Sequence, residues 1–260
     1  SGLGNHHHEI TTESPEAQRF FDQGLALAYA FNHPEAKRSV EEAARLDPSC
    51  AMCHWGIAFV LGPNINASLD PAANGEAYSA SRRALALASD VTARERAYIE
   101  ALAERYAERP QENRAPLDSA FARAMRDVAA RFPADDDAVT ISAEAWMNLT
   151  PWMYWTRDKR PLPGTTEIIT ALEKVSARNP KHPGACHFYI HAVEAAFPER
   201  AVACAERLPA RLIRRECKDA GEEIVEHHPE VIGSVDKIHG STYPRAQRRR
   251  QRLVHALHPA

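Results

Sequence analysis

The sequence predicts an all-α fold, an α-solenoid of antiparallel helical hairpins with an atypical C-terminal segment. Three observations carry that expectation. Alanine, the residue with the best helix propensity, is abundant. Residues 17–50 place small side chains at Gly24, Ala36 and Ala43, where two helices of a hairpin must approach closely, and Pro48 ends the second helix. Prolines at Pro110, Pro133, Pro151, Pro180 and Pro209 then punctuate the rest of the chain.

Element by element, the pattern predicts helices over 14–32, 34–46, 50–61, 72–89, 91–107, 115–131, 135–148, 165–178, 183–195 and 198–208. Ser14-Pro15 offers an N-cap followed by proline at the first helical position, and Asp90-Val91-Thr92 opens another helix. Pairing them in order gives about five hairpins, each packed mainly on its neighbours. Residues 1–13 form an arm rich in histidine, 14–208 the helical-repeat domain, and 209–260 a divergent or truncated ending.

The formal charge of -3 makes no global case for nucleic acid. The one basic block, with Arg245, Arg248, Arg249, Arg250 and Arg252, reads as a solvated tail. No apolar run approaches the roughly 18 residues of a membrane span. The chain opens Ser-Gly-Leu-Gly without an initiator methionine and reads as trimmed, so a missing signal peptide says nothing about export. Five cysteines leave at least one thiol unpaired if the others form disulfides.

The spacing of Phe20, Gly24, Ala36, Val40, Ala43 and Pro48 resembles the tetratricopeptide repeat. Longer stretches sharpen the likeness: Gly4-Asn5-His6-His7-His8, Ser49-Cys50-Ala51-Met52-Cys53-His54-Trp55-Gly56, Gly62-Pro63-Asn64-Ile65-Asn66, and His182-Pro183-Gly184-Ala185-Cys186-His187-Phe188-Tyr189-Ile190-His191-Ala192-Val193-Glu194. Together they are similar to a family of bacterial tetratricopeptide-repeat proteins, often exported and mostly without an assigned activity. The resemblance covers residues 3–208 and implies a helical-repeat fold and a periplasmic or exported setting. It fixes no function. Beyond Leu208, where further hairpins and another histidine pair are expected, the chain departs from the family pattern, and His227 and His228 lie in that stretch.

Three constellations bear on chemistry. His187 and His191 are four apart on a helix and Glu194 is three further on, so two imidazoles and a carboxylate share one face. That spacing suits a metal site, with Glu194 as a third ligand or general base; packing beside Phe188 and Tyr189 is the plainer reading. His6, His7 and His8 are read as native residues rather than the remnant of a tag, and are the first choice for a further ligand. Cys50, Cys53 and His54 form a Cys-x-x-Cys-His stretch at a helix start, open to a bound metal, a disulfide, a covalent c-type haem or simple packing. If helices alternate, His6–His8, Cys50–His54 and His187 fall at one edge of the solenoid. Trp146, Trp152, Tyr154 and Trp155 cluster around Pro151 and either line a ligand groove or anchor an irregular connection.

The function these features favour is a metal-binding helical-repeat protein holding a divalent transition metal, with hydrolytic or oxidative catalysis open to such a site. A peptide- or protein-binding scaffold acting through its concave face is the alternative, and a c-type haem protein the second.

Overall fold

The computed structural model describes residues 3–208, and among them the chain is all-α. Its helices are α1 (Pro15–Tyr29), α2 (His33–Leu46), α3 (Ala51–Leu61), α4 (Asn74–Ala86), α5 (Ala93–Ala103), α6 (Ala115–Arg131), α7 (Asp136–Met147), α8 (Thr165–Arg178), α9 (Pro183–Val193) and α10 (Val202–Arg207), with short 3-10 turns at Pro71–Ala73 and Pro198–Ala201. Each helix packs on the next in the chain, as a helical repeat requires. The segment 209–260, with His227, His228 and the basic block, lies outside the described residues.

The start signals work as the sequence predicts. Ser14 Oγ accepts from the Ala17 amide at 3.1 Å with Pro15 at the first helical position. Thr92 and Glu95 form a reciprocal capping box on α5. In the loop after α3, the Asn64 side chain accepts from the amides of Asn66 and Ala67, and the buried Arg105 guanidinium donates to Pro63 O at 2.7 Å. The predicted 14–32 helix stops early because Phe31 has φ 56, a left-handed conformation that ends α1 and turns the chain into α2. The predicted 198–208 helix divides into a 3-10 turn and the six-residue α10.

Two features depart from a simple stack. First, α1 touches α9 and α7 touches α9, so the first hairpin meets the far end of the array. Second, the N-terminal arm is part of the core rather than a loose tail: His8 and Ile10 are buried. The arm runs along the edge at which odd-numbered helices begin. Thr12 Oγ1 donates to Asp47 Oδ2 before α3, Thr11 donates to the Glu95 carboxylate in α5, and His8 reaches Asp137 at the start of α7. The expected common edge for His6–His8 and the α3 and α9 starts is therefore present.

Gly24 shows why the hairpin demands small residues. A Cβ built there would lie 2.5 Å from Val40 Cγ1 and 3.3 Å from Ala36 O. Gly24→Leu is expected to overpack α1 against α2 and cost about 1–3 kcal/mol in chemical denaturation. An unchanged denaturation midpoint would mean that the helices are not in contact there.

Candidate metal centre

Two neighbourhoods of buried histidine meet at Tyr29, the last residue of α1. The first lies on α9. Its apolar content buries the whole helix, so His187 and His191 are carried inside at 7% and 4% exposure. His187 Nδ1 lies 2.6 Å from Tyr29 O, and His191 Nδ1 lies 3.0 Å from Glu194 Oε1. A carbonyl and a carboxylate can only accept, so both Nδ1 atoms carry protons and donate. In a neutral imidazole the opposite nitrogen is then a lone pair. The two Nε2 atoms face one another at 3.2 Å.

Burial, reinforced for His187 by its neighbour His191, pushes both imidazoles down to about 3, so they are neutral at ordinary pH. Two lone pairs at that separation can be shared by one electron-pair acceptor. Two nitrogens on a tetrahedral zinc, each about 2.0–2.1 Å from the ion, lie about 3.3–3.4 Å apart. The pair therefore fits a metal, with its outer nitrogens oriented as metal-ligating histidines ordinarily are. Both side chains make further interactions beyond these.

The frame around the pair is aromatic. The Phe31 ring lies 4.8 Å from His187 and 5.6 Å from His191, and Trp152 stands edge-on to His191 at 5.0 Å. Phe31 and Trp152 are two of the three non-glycine residues with positive φ among the described residues, at 56° and 65°. Such conformations cost on the order of 1–3 kcal/mol each and persist where the surrounding structure holds them. On the far side, Phe31 stacks on His33, whose Nδ1 donates to Val60 O.

The second neighbourhood centres on Asp137. The arm is extended, so alternate side chains point the same way: His6 and His8 face inward, and His7 faces out to Asp22 at 2.7 Å. Asp137 Oδ1 accepts from Tyr29 Oη at 2.5 Å and from His182 Nε2 at 3.1 Å. His8 Nδ1 lies 2.7 Å from Oδ2. Burial alone would raise the Asp137 carboxyl, but the charges of His6 and His8 and the hydrogen bond from His182 outweigh it and hold it well below the usual carboxylate range. His6 shows the converse: burial lowers it, yet the Asp137 charge wins and leaves it raised. Two groups here could hold a metal, His6 with Asp137 and His182, and His8 with Asp135 and Asp137, each with ligand atoms within 4.8 Å of one another.

The tautomers separate these neighbourhoods. His182 Nδ1 accepts the Ala185 amide at 3.1 Å as the N-cap of α9, which keeps its proton on Nε2 and makes it a donor to Asp137. His187 and His191 have the opposite arrangement. Of the residues picked out by sequence, the structure brings His187 and His191 together as predicted, and Glu194 Oε1 takes the outer nitrogen of His191 rather than closing a third corner with it. His6 and His8 join Asp137 instead of the α9 pair, with Tyr29 between the two neighbourhoods.

Cys50 and Cys53 are joined by a disulfide and buried, and the Cys50 sulfur accepts the Cys53 amide at 3.0 Å. In that state neither sulfur is a thiol able to form a thioether to haem or a thiolate bond to a metal, and His54 Nε2 sits 3.1 Å from Pro48 O. The tryptophans divide: Trp155 donates to Ala192 O at 2.7 Å, Trp152 frames His191, and Trp146 lies under Arg126. Sequence reading missed Asp137, Tyr29 and Phe31. Asp135-Asp136-Asp137 looks like ordinary acidic enrichment at a helix start, and Asp135 does cap α7.

No protein-family model, curated protein or solved structure matches this chain. Among the described residues no helix is long and apolar enough to cross a membrane.

Tyr29→Phe keeps the ring and removes the hydroxyl donor to Asp137. The expected loss is about 1–3 kcal/mol by denaturation, with the α-helical circular dichroism unchanged. No loss would show that the Tyr29–Asp137 hydrogen bond contributes nothing to the fold.

Proposed function

We propose that this is a metal-binding helical-repeat protein that holds a divalent transition metal between His187 and His191. The observation that carries this reading is the pair of Nε2 atoms 3.2 Å apart, each made a lone pair by an acceptor fixed on its own Nδ1. The strained aromatic residues that frame the pair support it, because strain held against a buried polar pair is characteristic of functional sites. Imidazole donors favour zinc, copper, iron or nickel over calcium or magnesium. When bound, such an ion supplies Lewis acidity for hydrolysis or, with a redox metal, an oxidising centre. In this reading the residues of the chain orient and shield: Glu194 and Tyr29 O fix the ring tautomers, and Phe31 and Trp152 exclude water.

The buried disulfide supports an oxidising, exported setting for a bacterial protein of the tetratricopeptide-repeat type. A scaffold reading draws support from a second feature, a cavity of about 460 Å³ over α6, α7 and α8, lined by Arg126, Trp146, Glu167 and Ile168 among others. It leaves the paired imidazoles without a role, and the metal reading is preferred for that reason.

The test is metal analysis of full-length protein purified without an affinity tag and then titrated with zinc. His187→Ala with His191→Ala is expected to remove one bound equivalent while helical circular dichroism persists. Glu194→Ala is expected to keep that equivalent with about 10–100-fold weaker affinity. Retention of full stoichiometry by the double variant would overturn the assignment, and unchanged affinity in Glu194→Ala would remove the orienting role of the carboxylate.

A further inference from the structure

The neighbourhood of Asp137 has its own unsatisfied chemistry, separate from the α9 pair. Each carboxylate oxygen has two lone pairs, and Asp137 Oδ1 spends both on Tyr29 and His182. His6 Nε2 lies 3.1 Å from that same oxygen but makes no hydrogen bond there, and its side chain is 6% exposed. His8 gives Nδ1 to Asp137 Oδ2, which leaves its Nε2 buried without a hydrogen-bond partner in a side chain only 3% exposed. Asp135 Oδ2, beside them, is also buried without a hydrogen-bond partner, and pairs with Arg94 Nε only at 3.8 Å. Two nitrogens and a carboxylate oxygen thus stand buried near Asp137 without hydrogen bonds, an arrangement that a bound cation would relieve.

The surroundings favour a cation as that partner. The cluster lies at the head of an open cleft of about 640 Å³ between the arm and the starts of α7 and α9. Its wall carries Glu9, Asp135, Asp136 and Asp137 against Arg94, Arg178 and Lys181. Two of those cations are already committed, Arg94 to Glu9 O and Arg178 to Asp136. Imidazole with carboxylate, and no thiolate, is the donor set of a borderline divalent transition ion.

We propose that the N-terminal arm closes a second metal site here, with His8 as the nitrogen ligand and Asp135 and Asp137 as oxygen ligands, and with His6 on Asp137 beside it. His182 and Tyr29 are positioning residues, because each donates to Asp137 and so orients its carboxylate. The ion ties the arm to the helix starts, so the site exists only in a chain whose arm is in place. The cleft leads from solvent to the ion, which gives small polar ligands access to it.

Cobalt(II) is the probe, titrated into untagged full-length protein and followed by equilibrium dialysis and visible absorption. Wild type is expected to bind two ions. His6→Gln with His8→Gln, on the arm and outside every helix, is expected to bind one and to keep its helical circular dichroism. In wild type, cobalt is expected to slow proteolysis of the arm, and in that variant to leave it unchanged. Asp135→Asn serves as the second variant and is also expected to lose one ion. Both variants retaining two ions would overturn the site. Should wild type bind a single ion, the pairs decide between the readings. Loss through His6 and His8 upholds this site against the α9 pair, and loss through His187 and His191 alone overturns it.

Discussion

The architecture depends on Tyr29. Its backbone carbonyl accepts from His187 on α9, and its hydroxyl donates to Asp137 on α7, so one residue at the end of α1 fastens the first hairpin to the last part of the array. A repeat stack needs no such tie, since each hairpin can be buried by its neighbours alone. Gly184 marks how close the approach is, because a Cβ there would lie 2.6 Å from the Tyr29 ring. The same contacts set the tautomers on one side and the carboxylate geometry on the other. Fold and candidate chemistry are therefore coupled through one residue.

Around that tie the protein accepts local costs. Phe31 and Trp152 adopt left-handed backbone conformations that an aromatic residue ordinarily avoids, and in doing so bring their rings against the imidazoles of α9. Burying two neutral histidines among aromatic rings removes water that would otherwise satisfy their nitrogens. The outer nitrogens donate to Tyr29 O and Glu194, and the inner ones are directed at each other. Fixed outer contacts that leave two inner nitrogens facing each other suit a pair of metal ligands.

Much of the helical order was legible because its signals are local. Ser14, Thr92 and the prolines fix where helices start and stop, and Gly24 and Ala36 require a close neighbour whatever lies beyond. The four-residue spacing of His187 and His191 put them on one face for the same reason. What was not legible depends on contacts between distant parts of the chain. Asp137 is one of three consecutive aspartates, and nothing local shows that it receives His6, His8, His182 and Tyr29. The N-terminal histidines were expected to reach the α9 pair because they enter at the same edge. They stop one layer short, at the start of α7, since the extended arm presents only alternate residues inward and those meet Asp137 first. Glu194 has the right spacing for a third ligand, but its Oε1 lies where it orients His191 instead.

The central claim is that fixed outer hydrogen bonds turn the Nε2 atoms of His187 and His191 into converging metal ligands. Nitrogen-15 NMR of histidine-labelled protein, chelator-treated and then titrated with zinc, tests it most directly. The account predicts that both rings are neutral with the proton on Nδ1 before zinc is added, and that both Nε2 resonances shift together as zinc binds. A proton found on Nε2 of either ring in the metal-depleted protein, or Nε2 signals that do not respond to zinc, would contradict it.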